Sequence, residues 1–97
     1  MAEVVYSARS LQDIERAFQF LRKENPGAAL DAVAAIQSAV ENLGAHPLIG
    51  RRLEGELREL IISYGRTGYV ALYRFVVVQD QVRILALRHQ RELGYLP

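Results

Sequence analysis

The chain has no cysteine among its 97 residues, which excludes disulfide bridges and thiolate zinc sites. Histidine is nearly as scarce, at His46 and His89 only, so a histidine-rich metal centre is not expected, and neither a metal nor an organic cofactor is implied. No apolar run approaches the roughly twenty residues that cross a bilayer, and the first residues lack a secretory pattern. Both absences point to a cytoplasmic protein without membrane contact. Internal repeats and low-complexity tracts are missing too. With 51% hydrophobic residues the chain reads as a single domain over 1–97, large enough to fold alone but too small to enclose a deep cavity. A large ligand would have to bind at the surface.

What is present is concentrated in the last forty residues. Leu57–Tyr64, Tyr69–Val78 and Val82–His89 are dense in β-branched and aromatic residues and read as three consecutive strands. Gly65-Arg66-Thr67-Gly68 supplies two glycines to close a short hairpin loop, with Arg66 at its tip. Gln79-Asp80-Gln81 is too short for a parallel crossover, so the pairing is antiparallel and the three strands form a meander. By alternation Arg74 shares a face with Val70, Leu72, Val76 and Val78, while Tyr69, Ala71, Tyr73, Phe75 and Val77 occupy the other. Both faces are largely apolar, so the helices are expected to cover one and a partner part of the second.

The N-terminal half reads as a scaffold. Glu3–Ser7 is a short strand, and Ser10, with Asp13 three residues on, is a plausible N-cap. Leu11, Ile14, Ala17, Phe18 and Leu21 recur at helical spacing. Phe20 lies about 100° from Leu21 on the helical wheel, as a second core contact or an anchor for a partner. Asn25-Pro26 ends this helix and starts the next, with Asn25 as cap and Pro26 at the first helical position. The second helix, Pro26–Leu43, carries Leu30, Val33, Ile36, Val40 and Leu43 as its stripe between alanines that permit close packing. Gly44 stops it and Pro47 forbids resumption. The fold class is therefore α+β, with the order β-α-α-β-β-β and a helical hairpin on a small antiparallel sheet.

Charge is unevenly divided. Residues 1–50 carry four basic and six acidic side chains, whereas residues 51–97 carry eight arginines and five acids, within a net charge of +1. The basic half holds the strands, so a cationic sheet surface could meet an anionic partner.

Four words in this order resemble the RelE/ParE superfamily of toxins from bacterial type II toxin–antitoxin modules: Ala45-His46-Pro47-Leu48-Ile49-Gly50-Arg51, Leu57-Arg58-Glu59-Leu60, Gly68-Tyr69-Val70-Ala71-Leu72-Tyr73-Arg74 and Ile84-Leu85-Ala86-Leu87-Arg88-His89. The resemblance spans nearly the whole chain and implies a cognate antitoxin, ParD-like or RelB-like, in a hetero-oligomer with the toxin. It leaves two activities open, because one fold serves both. RelE-like members cut mRNA in the ribosome with two lysines on the second strand, an arginine past the Gly-Tyr of the third, and basic or tyrosine residues after the fourth. Here the corresponding positions are Ile61, Ser63 and Val70. A minimal nuclease site would consist of His89 as general acid or base, Arg91 as phosphate clamp and Tyr95 as positioning group.

ParE-like members instead poison DNA gyrase through a binding surface, without a catalytic group. The long helical hairpin, the His-Pro-x-x-Gly word at 46–50 and the missing strand cations favour this branch. It implies Arg58, Arg66, Arg74, Arg88 and Arg91 as target contacts, and Phe18, Phe20, Leu21, Leu72, Val76 and Val78 as antitoxin contacts. A non-toxic binding module on the same fold is the third alternative.

Overall fold

The computed structural model describes residues 1–64 and 67–95. Strand β1 (Glu3–Tyr6) leads into helices α1 (Ala8–Arg22) and α2 (Pro26–Glu41), followed by β2 (Arg51–Arg52), β3 (Leu57–Tyr64), β4 (Thr67–Val76) and β5 (Gln81–His89). The five strands form one sheet in the order β1-β5-β4-β3-β2. The expected meander of β3, β4 and β5 is antiparallel throughout. The sheet as a whole is mixed, because β1 runs parallel to β5. The helical hairpin between β1 and the meander supplies the long connection that this geometry needs.

Asn25 and Pro26 act as expected: the Asn25 side chain accepts the Ala28 N–H, and Pro26 opens α2. The start of α1 differs. Its N-cap is Ser7, whose hydroxyl oxygen accepts the Ser10 N–H, and Ser10 lies inside the helix, fully buried. Both seryl oxygens fit the capping rule; the end of β1 at Tyr6 selects the earlier one, since the helix starts as soon as the chain leaves the sheet. The α2 stripe is also rotated from the expected one. Ala29, Ala32, Ile36 and Val40 are buried and Leu30 is 64% exposed. The small alanines sit inside because the hairpin and β3 approach this face closely. The helix gives way to a 3₁₀ turn at Asn42–Gly44, which places Leu43 in the core.

Tyr69, Ala71 and Tyr73 lie in the core beneath the helices, with Phe75 packed against it, as alternation requires. Strand β4 stops at Val76, and Val77–Gln79 form a 3₁₀ turn closed by Asp80 in the left-handed region at φ 48°. At the other hairpin Tyr64 pairs with Thr67; the expected tip, with Arg66, lies outside the described residues.

The His-Pro-x-x-Gly word has a structural role. The buried Tyr73 hydroxyl donates to Pro47 O at 2.9 Å and accepts the Gly50 N–H at 2.8 Å. A Cβ at Gly50 would come within 2.5 Å of the Tyr73 ring, so only glycine lets the loop lie against it.

The decisive irregularity is in β5. Leu72 pairs with Ala86 but Tyr73 pairs with Ile84, so Leu85 is an extra residue, a β-bulge. The bulge lets Val82, Ile84 and Leu87 all enter the core. Helix α1 satisfies the polar groups that it frees. The Ser7 hydroxyl donates to Leu85 O at 3.0 Å, and Asp13 Oδ2 accepts the Leu87 N–H at 2.9 Å. Asp13, 1% exposed, also receives Arg9 Nε and Arg16 Nη1 at 3.1 Å.

Replacing Asp13 by alanine leaves the Leu87 N–H unpaired in the interior and two arginines without their anion. The expected loss is about 3 kcal/mol, seen as a fall of about 10–20 °C in melting temperature. Asp13→Asn, which keeps an acceptor for Leu87, should lose less; equal melting temperatures for wild type and Asp13→Ala would refute the clamp.

Candidate functional site

Arg88 and His89 lie on opposite faces of the sheet by strand alternation, and the bulge decides which of them faces the helices. His89 pairs with Tyr69 in register and turns to the helix side, where the two rings meet edge to face at 5.4 Å between centroids. Its Nδ1 accepts the Arg91 N–H at 3.1 Å, and its own backbone N–H goes to Glu92 Oε1 at 3.0 Å. The imidazole thus organises the turn after β5.

Beside it, between α1 and the end of β5, is a groove of ≈ 530 Å³. Ala17, Leu87 and Tyr69 line it with apolar surface, and Phe20, 68% exposed, stands at its rim with Arg16 and Arg91. Its two carboxylates are already engaged, Asp13 by Leu87 and two arginines and Glu92 by the His89 N–H. Of the two alternatives its wheel position allowed, Phe20 is not a core contact.

On the opposite face Glu59, 5% exposed, is the centre of a second cluster. It accepts Arg51 Nη2 through Oε1 and the Tyr95 hydroxyl through Oε2 at 2.8 Å. Arg88 Nη2 stands 3.8 Å from Oε2. Arg88 also donates to Glu92 O at 2.9 Å and lies 5.4 Å from the Tyr95 ring centroid. Burial pushes the Glu59 carboxyl up, but the hydrogen bonds from Tyr95 and Arg51 and the Arg88 charge outweigh it and hold the pKa below the ordinary range. The Tyr95 phenol is pushed well above its ordinary value, by burial first and then by its bond to the Glu59 anion.

The expected site residues are thus distributed rather than gathered. His89 and Arg91 share the groove, but Tyr95 is across the sheet, bonded to Glu59. Arg58 donates to Leu48 O and Gly50 O and holds the 46–50 loop. Arg88 serves the C-terminal turn, Arg74 lies on the sheet face away from the helices, and Arg66 is outside the described residues. Of the apolar positions, Phe20 and Val78 are exposed, Leu21 packs against the core, and Phe18, Leu72 and Val76 are half-buried. Asp13 and Glu59 are the residues that sequence reasoning missed as centres. Their signals were there: arginines at i−4 and i+3 around Asp13, and a lone acid on the alternating face Leu57, Glu59, Ile61.

Among the described residues no group of three or more histidine, aspartate and glutamate side chains could hold a metal ion. No helix among them is long and apolar enough to cross a membrane.

Residues 4–94 match the family model described as the ParE toxin of the type II toxin–antitoxin system. Two curated relatives come from Caulobacter vibrioides. Toxin RelE3 is 37% identical over 92 residues, covering 95% of this chain and 98% of the relative. Toxin RelE2 is 30% identical over 93 residues, covering 96% and 100%. A solved structure described as the chromosomal ParDE TA system from P. aeruginosa superposes with a TM-score of 0.77 at 22% identity, covering 92% of this chain and 96% of that one. This last likeness shows the fold.

The Glu59 cluster carries a pH signature. Because its folded-state pKa lies below the ordinary 4.5, the ionised carboxylate contributes stability above that value, and the contribution disappears as pH falls through the folded pKa. Wild type should exceed Glu59→Gln by about 2 kcal/mol at neutral pH, and the gap should close below pH 4.5. Denaturant titrations across that range check this; a gap independent of pH would count against an ionised Glu59.

Proposed function

The chain belongs to the ParE toxin family of type II toxin–antitoxin systems, and from that premise we propose that it inhibits growth by binding and poisoning DNA gyrase rather than by cutting RNA. One observation carries this reading: the groups that a minimal nuclease would need are divided between the two faces of the sheet. A phosphodiester cleaved beside a 2′-hydroxyl needs a base, an acid and cations around one phosphate. Here His89 and Arg91 face the groove, whereas Tyr95 and Arg88 are bound up with Glu59 on the other side. The strand positions Ile61, Ser63 and Val70 add no charge to that face.

A poison needs only a surface that grips its target. Arg91 and Arg16 at the groove rim, with the exposed Phe20 on α1, provide cationic and apolar contacts. Arg74 provides a further cation on the open face. The antitoxin neutralises the toxin by covering such positions, and the complex resides in the cytoplasm, where gyrase is. The RelE names of the Caulobacter relatives favour a second reading, a ribosome-dependent mRNA endoribonuclease with His89 and Arg91 as its reacting pair.

The two readings part on one pair of assays. Purified toxin should inhibit gyrase supercoiling and accumulate cleaved DNA, and it should leave ribosome-bound mRNA intact. His89→Ala should retain growth inhibition, while Arg91→Glu should weaken gyrase inhibition about tenfold. Fragmented mRNA that disappears with His89→Ala would overturn the gyrase reading.

A further inference from the structure

The open face of the sheet contains a pair of positive charges that form no ion pair among the described residues. Arg74 on β4 and Arg83 on β5 are direct partners in the antiparallel register, on the face turned away from the helices. Opposed residues on adjacent strands have Cβ atoms about 5 Å apart, and like charges there are unfavourable. Among the described residues neither arginine forms an ion pair. Arg83 is nevertheless held in place: its Nε donates to Gln81 Oε1 at 2.7 Å and its Nη2 to Gln79 Oε1. These are neutral amides, which fix the guanidinium without cancelling its charge. The nearby acid Glu3 is engaged by the Gln81 amide at 2.8 Å. A positioned and uncompensated cation beside a second one is a preorganised receptor for anions.

Next to this pair the 3₁₀ turn after β4 presents Val77 at 73% and Val78 at 97% exposure. A nucleic-acid backbone offers nothing apolar to cover them, whereas an amphipathic protein segment does. Carboxylates at i and i+3 or i+4 of a helix have Cβ atoms about 5–6 Å apart, which matches the spacing of the two arginines.

We infer that Arg74 and Arg83, with Val77 and Val78, form a docking site for an acidic amphipathic helix of the antitoxin. The inference rests on the toxin–antitoxin reading of the chain. Two carboxylates of that helix meet the two guanidiniums, and an apolar side chain covers the valine turn. Arg74, which would otherwise be available to the target, is masked in the same step.

The test is a calorimetric titration of the toxin with the antitoxin encoded beside it, at fixed ionic strength, for wild type, Arg74→Gln, Arg83→Gln and Val78→Ser. Each arginine variant should bind about tenfold more weakly, and Val78→Ser about threefold. Free Arg83→Gln should melt about 2 °C higher than wild type, because the like-charge pair is relieved. Wild-type affinity in both arginine variants would overturn the site while leaving the toxin–antitoxin reading intact. So would a lower melting temperature with unchanged affinity, which would make the pair structural. Weaker binding of a 20-base-pair DNA duplex with unchanged antitoxin affinity would reassign the cations to nucleic acid. Failure of wild type to bind the antitoxin at all would remove the premise itself.

Discussion

One extra residue in β5 determines which way the side chains at the C-terminal end of that strand face. Side chains on a strand alternate with period two, so inserting Leu85 reverses every position after it. Without the bulge, Val82 and Ile84 could be buried only if His89 faced away from the helices and Arg88 faced toward them. With it, Leu87 joins the core, His89 lines the groove beside α1, and Arg88 meets Glu59. The distortion persists because α1 satisfies the backbone groups it frees, through Ser7 at the cap and Asp13 further along the helix. Helix and sheet are locked together at the point where the groove and the Glu59 cluster diverge to opposite faces.

The arginines of the second half illustrate how one residue type takes on distinct roles within a single small sheet. Arg58 binds carbonyls of the 46–50 loop, Arg51 and Arg88 neutralise Glu59, and Arg83 is aimed by two glutamines. Their formal charges are equal, but their available charges are not. A guanidinium bonded to a buried carboxylate is largely spent, whereas one held by amide oxygens keeps its full field. The surface able to attract an anionic or acidic partner is therefore narrower than a count of arginines suggests, and it includes Arg83, which the resemblance did not single out.

The division of polar groups between two faces also bears on how one fold serves unlike activities. The core of Ile36, Leu43 and Ile84 demands only apolar volume, and it leaves the face turned away from the helices free to vary. On that face Glu59, with uncharged neighbours at Ile61 and Val70, balances Arg51 and Arg88, while Arg74 and Arg83 form no ion pair among the described residues.

Much of this was legible in the sequence. The element order, the Asn25-Pro26 boundary, the meander and the inward face of β4 follow from local chemistry: capping, proline geometry, loop length and strand alternation act over a few residues. The expectations that fail are those that local chemistry underdetermines. Ser10 is expected to cap and Ser7 does, Leu30 is expected to turn inward and Ala29 does, and nothing in the local pattern announces the β5 bulge. Those choices belong to the tertiary structure, because only packing against a distant element distinguishes them. The sequence by itself determined the main elements, though not the two-residue β2, and that the strands carry the positive charge. The fold alone decided which arginines are consumed and on which side His89 lies, since both depend on contacts between residues as far apart as Asp13 and Leu87.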